Sequence, residues 1–191
     1  ADGVAALRPV EMVTLRRGND LVYAGCATYW DPPTAVRDDM RSVVRKVAAT
    51  LIDEVDYRGT FTVDGVVDDD GFWPTELTPR FGAGLGVIAR ATDNVPILLV
   101  HDHAVAGRSM GLPATEIEQH LLVHADAHRA GGTWRASSAS TLERSGPIGF
   151  ADGAWSWIDE DSCEHEVAAR VTAGPGFTRC AFEPEATAVG P

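Results

Sequence analysis

Residues 60–84, TFTVDGVVDDDGFWPTELTPRFGAG, leave few backbone choices other than a β-hairpin. The run 60–67 is rich in β-branched and aromatic residues, which favour extended backbone. Asp68, Asp69, Asp70 and Gly71 follow, a link whose aspartates and glycine favour a tight turn. The run 72–80 then returns along the first strand. With the turn centred near Asp70, Asp64 falls opposite Glu76. Side chains alternate faces along a strand, so Glu76, Thr78 and Arg80 are expected on one face. Two carboxylates and a guanidinium would then point into one space. A divalent cation between the carboxylates would relieve their repulsion. Hard oxygen ligands of this kind suit Mg²⁺, which commonly takes substrate phosphate oxygens as well.

The order strand, Asp64, acidic turn, strand, Glu76-Leu77-Thr78-Pro79-Arg80 resembles the metal-binding hairpin of the ATP-grasp superfamily. In its carboxylase-like branch an acidic residue on one strand and Glu-x-Asn-x-Arg on the next hold Mg²⁺ against ATP. The resemblance implies that Asp64 and Glu76 are metal carboxylates, that Thr78 stands at the Asn position, and that Arg80 lies near the phosphates and substrate. A threonine hydroxyl is shorter than a carboxamide, so the second metal position loses a ligand. Upstream, residues 8–17 and 20–30 look like two strands joined by a Gly-Asn-Asp turn, and a helix follows. Strand, strand, helix, hairpin is similar to the larger, C-terminal lobe of an ATP-grasp domain. Downstream, residues 91–97 loosely resemble the Thr-Gly-x-Asp-Leu segment of carboxylase-type members. The match covers about residues 8–106. The implied fold class is α+β: an antiparallel sheet with packed helices over 1–106, then a helical segment and a small β-rich part over 107–191.

The family's smaller lobe supplies lysines and a glycine-rich flap. This chain has a single lysine, Lys46, which falls on the helix, and it starts at Ala1 beside what reads as an internal strand. The expectation is therefore one lobe of a longer protein, inactive and poor at binding ATP by itself. The implied activity is an ATP-dependent ligase that activates a carboxylate as an acylphosphate for attack by an amine or similar nucleophile. Its cofactors would be ATP and Mg²⁺; its partners a small-molecule or peptide carboxylate and the missing lobe, with a homodimer left open. Residues 81–84 would form a loop bordering the substrate. The other reading is a degenerate lobe used for binding or assembly.

Composition narrows the field further. The formal charge is −12, and no basic cluster occurs, which argues against nucleic acid and anionic membrane surfaces. No apolar stretch reaches the length of a transmembrane span, and no signal-peptide pattern is present. Cys26, Cys163 and Cys180 lack CxxC spacing and suggest no disulfide framework, so a reducing cytoplasm is the simplest setting.

Pro32, Pro33 and Thr34 are expected to open a helix running to about Val55, with Val36, Met40, Val43, Val44, Val47, Leu51, Ile52 and Val55 as its apolar stripe. A second helix is expected over 96–106, broken by the Gly- and Pro-containing stretch 107–113. A third is expected to be capped by Thr115, with Glu116 and Glu118 favouring the helix dipole, and to end near Gly131 and Gly132. Strands are expected at 133–137, 147–158, 166–172 and 177–182, with turns at 152–153 and 173–176 and a loose tail from Pro184. His120, His124 and His128 recur every four residues, near one helix face, with His101 and His103 on the preceding helix. Neighbouring helical histidines can bind Zn²⁺ or Ni²⁺, but this HxxxH lacks the glutamate of a HExxH site, and a polar helix edge accounts for it. Trp155 and Trp157 share a strand face and read as sheet packing, as do Trp30, Trp73 and Trp134. The stretch 173–176 lacks the Lys-Ser/Thr of a phosphate loop and reads as a turn.

Overall fold

Two prolines fix where the longest element begins. Pro33 takes the N-cap position of α1 (Thr34–Val55), 22 residues long, with no side-chain cap. The helix stops at Asp56, which adopts φ 48°, its N–H on the Ile52 carbonyl and that of Tyr57 on the Leu51 carbonyl. The expected span is met at both ends. The apolar stripe is half-buried except for Val55, which is 65% exposed, and Ala48 is the residue of the helix that is fully buried.

The computed structural model describes residues 3–92, 95–129, 133–136, 143–159 and 166–183. Expectations for Cys163, Gly131, Gly132, Ser137, the Asp93-Asn94 pair and the tail from Pro184 lie outside the described residues. The chain is α+β, and every strand pairing is antiparallel among the described residues. In order the elements are β1 (Glu11–Arg17), β2 (Asp20–Ala27), α1, β3 (Thr62–Asp68), β4 (Gly71–Thr78), α2 (Ala83–Ala91), α3 (Ile97–Val105), α4 (Ala114–Ala127), β5 (Thr133–Ala136), β6 (Arg144–Ala151), β7 (Ala154–Trp157), β8 (Ala169–Gly174) and β9 (Phe177–Phe182).

The chain divides into two compact units that do not follow a cut at residue 106. One contains Ala1–Pro9 and Asp31–His128; the other contains Val10–Trp30 and Arg129–Pro191. The β1–β2 hairpin therefore groups with the C-terminal strands, and α3 and α4 group with the long helix and the β3–β4 hairpin.

In the first unit the core forms around α2, whose Leu85, Val87, Ile88 and Ala91 are buried. Ile97 of α3 and Leu121 and Ala125 of α4 are also buried, and both helices pack on α2. Residues 81–84 are thus not a loop: Gly82 is the N-cap, and Ala83 and Gly84 open a helix. The paired glycines Gly84 and Gly86 lower helix propensity and hide the apolar spacing of Leu85, Ile88 and Ala91. Thr115 does not cap α4 either. Pro113 occupies that position with no side-chain bond, and the helix ends at Ala127, short of the expected glycines.

Glu118 is not a surface dipole partner. It is 9% exposed and accepts from the Ala6 N–H at 2.7 Å, from Arg45 Nη2 at 2.6 Å and from Arg41. Arg8, 4% exposed, binds Asp31 at 3.1 Å and also Asp126. These pairings join the N-terminal segment to α1 and α4. A buried carboxylate or guanidinium is tolerated only with such partners.

The second unit holds a two-stranded ribbon, β1–β2, and a five-stranded sheet in the order β5-β9-β8-β6-β7. The segment expected over 147–158, with its turn at 152–153, forms β6 and β7 joined at Asp152-Gly153, and β9 runs as expected. Trp155 faces Phe150, and Trp157 faces Ile148, so both tryptophans share one sheet face with Phe150. Among the described residues no helix is long and apolar enough to cross a membrane.

Candidate functional site

The β3–β4 hairpin sets Asp64 directly opposite Glu76, with Thr62 opposite Thr78 on the same face. The route to that register differs from the expected one. The link is two residues, Asp69 and Asp70, with Asp68 paired to Gly71 and Gly65 to Pro74. Continued without interruption, that register would put Asp64 opposite Thr75. A β-bulge between Asp64 and Gly65 makes Thr75 the extra residue and restores the Asp64–Glu76 pairing. The Thr75 hydroxyl donates to the Asp64 carbonyl at 3.2 Å, holding the bulge closed.

Gly65 is required at this point. A Cβ there would lie 2.4 Å from the Trp73 carbonyl oxygen and 2.4 Å from Cε2 of Phe72. Phe72 is buried, and its N–H donates to Asp39 Oδ2 of α1 at 3.2 Å. The tip is ordered by Asp68, whose Oδ1 accepts from Trp73 Nε1 and from the Asp70 N–H, each at 2.9 Å. Those bonds, the tryptophan's foremost, hold the Asp68 carboxyl below its usual range.

Asp64 is half-buried and Glu76 exposed. Burial pushes the Asp64 carboxyl up, the neighbouring Glu76 charge pushes it further, and the Arg80 guanidinium pulls it back. Both other candidate charges thus act on Asp64. Arg80 does not continue the strand face as expected, because β4 ends at Thr78. Arg80 instead sits in a turn, its N–H on the Thr78 carbonyl at 2.9 Å and its Nη1 on the Phe81 carbonyl at 3.3 Å. The Thr78 hydroxyl donates to Glu76 Oε1 at 3.3 Å, and so orients a carboxylate.

Two carboxylates facing each other across a hairpin are chemically suited to a hard divalent cation. Among the described residues no three His, Cys, Asp or Glu side chains assemble into a metal cage. Mg²⁺ does not need one, since it is commonly held by one or two carboxylates with water and phosphate oxygens. The pair therefore fits Mg²⁺ better than a cation that needs a full set of protein ligands.

The histidines do other work. The His120 and His124 rings lie 4.3 Å apart between centroids, and those of His124 and His128 6.4 Å apart. His101 Nδ1 lies 3.0 Å from both the Thr60 N–H nitrogen and the Thr60 hydroxyl. No local pattern in the sequence signals that contact, because it joins residues 41 apart. Lys46 lies along α1 in a shallow concavity lined also by Asp38, Arg41, Ser42 and Arg45. Cys26 is buried, and burial raises the thiol of half-buried Cys180. No protein-family model matches the chain, and no curated protein matches it.

Proposed function

We propose that this chain contributes the metal-bearing hairpin of an ATP-dependent ligase that activates a carboxylate as an acylphosphate for attack by an amine or similar nucleophile. The observation that carries the reading is the Asp64–Glu76 pairing, reached through a bulge and set beside Arg80. Mg²⁺, when bound with ATP, would supply charge neutralisation for phosphoryl transfer. Asp64 and Glu76 would hold it, with the Thr78 hydroxyl keeping Glu76 turned to the site. Arg80 would stabilise negative charge on the transferred group, in a step governed by positioning and electrostatics rather than by an acid–base residue. Smaller roles follow for the surroundings: Gly65 admits the bulge and Asp39 fixes the tip. A smaller lobe bearing cationic donors would complete the nucleotide cleft.

A second reading is favoured by one residue. With Thr78 donating to Glu76, the hairpin presents two carboxylates and no carboxamide, a set suited to cation-dependent binding without catalysis. One experiment separates the two. ADP release from Mg·ATP is followed, in the protein that joins this chain to its smaller lobe, with a panel of amino-acid and peptide carboxylates and amines. The ligase reading expects carboxylate-dependent turnover that falls on the order of 100-fold in Arg80→Ala. Cation binding at the hairpin without any turnover supports the binding reading. Turnover unchanged in Arg80→Ala and Asp64→Asn would refute both.

A further inference from the structure

The two ends of the β3–β4 hairpin meet one imidazole. Thr60 leads into β3, and both its N–H and its hydroxyl reach His101 Nδ1 at 3.0 Å. Phe81 leaves β4 beyond Arg80, and its ring lies edge-on to the His101 ring, 6.2 Å between centroids. The preceding residue is shaped to allow this. Gly59 holds φ 119°, and a Cβ on it would fall 3.1 Å from the ring and 2.9 Å from Val105 Cγ2. The next contact inward is tight as well, since a Cβ on Gly82 would lie 2.9 Å from Thr62 Cγ2. Helix α3 thus holds the base of the hairpin, while Asp39 of α1 holds its tip.

We infer that His101 is a positioning residue: it fixes the start of β3, and through it the register that brings Asp64 to Glu76 beside Arg80. The inference deepens the metal-site reading and rests on it for its functional meaning. The backbone contact has a chemical requirement. A backbone N–H can only donate, so Nδ1 must be the unprotonated nitrogen, and the proton of the neutral ring sits on Nε2. Imidazolium has no acceptor nitrogen, and protonation breaks the Thr60 N–H bond. A histidine changes charge between about pH 5 and 8. Acidification that protonates the ring therefore releases the hairpin base.

The groups facing the ring are Gly59 and Thr60 on the incoming segment and Phe81 on the outgoing one, with Val105 of α3 beside Gly59. Asp102 flanks it on its own helix, with His103 beyond. Arg58, on the incoming segment, is directed elsewhere, to Asp56 at 3.3 Å and toward Gly107.

The test is amide exchange on the full chain. The Thr60 protection factor is measured across this pH range in the wild type, His101→Phe and His101→Asn, with Mn²⁺ broadening of the Asp64 and Glu76 amides as a second readout. The phenyl ring keeps the packing against Phe81 and removes the acceptor, whereas the Asn carboxamide oxygen restores one that does not titrate. The expected result is about a tenfold loss of Thr60 protection in His101→Phe, matched by the wild type on acidification, and no acid-dependent loss in His101→Asn. Mn²⁺ broadening should weaken in parallel. Thr60 protection that ignores both pH and the His101→Phe change overturns the inference. If His101→Phe does not fold, the wild-type pH profile set against His101→Asn decides alone. Absence of Mn²⁺ broadening in the wild type would refute the metal reading while the exchange result still judges His101.

Discussion

The molecule contains two antiparallel ribbons of similar size, each with one bulge, and they have different fates. In β1–β2 the register shifts between Val13 and Thr14; in β3–β4 it shifts between Asp64 and Gly65. Past its bulge, toward the Gly18-Asn19 turn, β1–β2 pairs Leu15 with Val22 and Arg16 with Leu21, all exposed, Leu21 at 76%. Past its bulge, away from the turn, β3–β4 pairs Asp64 with Glu76, and its ends are held by His101 and Asp39. A two-stranded ribbon is marginal by itself. The hairpin that bears the carboxylate pair is fastened to helices at both ends. A bulge alone therefore says little about function; what it places in opposition, and how firmly, says more.

The largest expected effect attacks the bulge. Gly65→Ala forces a methyl group into the Trp73 carbonyl and the Phe72 ring. It should cost about 1–3 kcal/mol of stability in chemical denaturation and should abolish the bulge. Amide shifts should move in β3–β4 and stay put in β1–β2. Equal disturbance of both ribbons would break the contrast.

A smaller effect concerns the sign of the carboxylate pair. Because Asp64 is raised in the fold, the folded state binds its proton more readily than the unfolded chain does. Stability linked to Asp64 is present at acid pH and is lost as pH rises through its unfolded and then its folded value. At neutral pH, Asp64→Asn should leave the metal-free chain equally or more stable, by under about 1 kcal/mol given solvent screening, and should flatten this part of the pH profile. Clear destabilisation at neutral pH would mean that Arg80 outweighs burial and Glu76 together.

The smallest effect belongs to the other ribbon. Leu21→Ser, on an exposed tip, should change stability by no more than about 0.5 kcal/mol. A larger loss would show that the β1–β2 tip is covered in solution.

The elements that the sequence disclosed best are those with local causes. Pro32, Pro33 and a helical apolar stripe mark α1 at both ends, and the Asp-rich link marks the hairpin. The sequence places the turn centre half a residue too late, and the bulge compensates, so Asp64 still opposes Glu76. Thr75 gives no local sign of being the extra residue, because the close approach that requires glycine lies elsewhere, at Gly65 against Phe72 and Trp73. Helix α2 is not legible in the sequence because glycines interrupt its pattern, although Leu85, Ile88 and Ala91 carry the buried spacing. Glu118 with Arg41 and Arg45, Arg8 with Asp31 and Asp126, and Thr60 with His101 are long-range pairings. Periodicity within one element does not encode them. The grouping of β1–β2 with the C-terminal strands is hidden for the same reason.

The central claim is that Asp64 and Glu76 form one cation site. Paramagnetic Mn²⁺, titrated into the chain and read on backbone amides, tests it directly. The account predicts broadening centred on Asp64 and Glu76, removed by Asp64→Asn or Glu76→Gln and absent from β1–β2. Broadening centred instead on the acidic link at Asp68, Asp69 and Asp70, or none at the carboxylate pair with the hairpin intact, would contradict it.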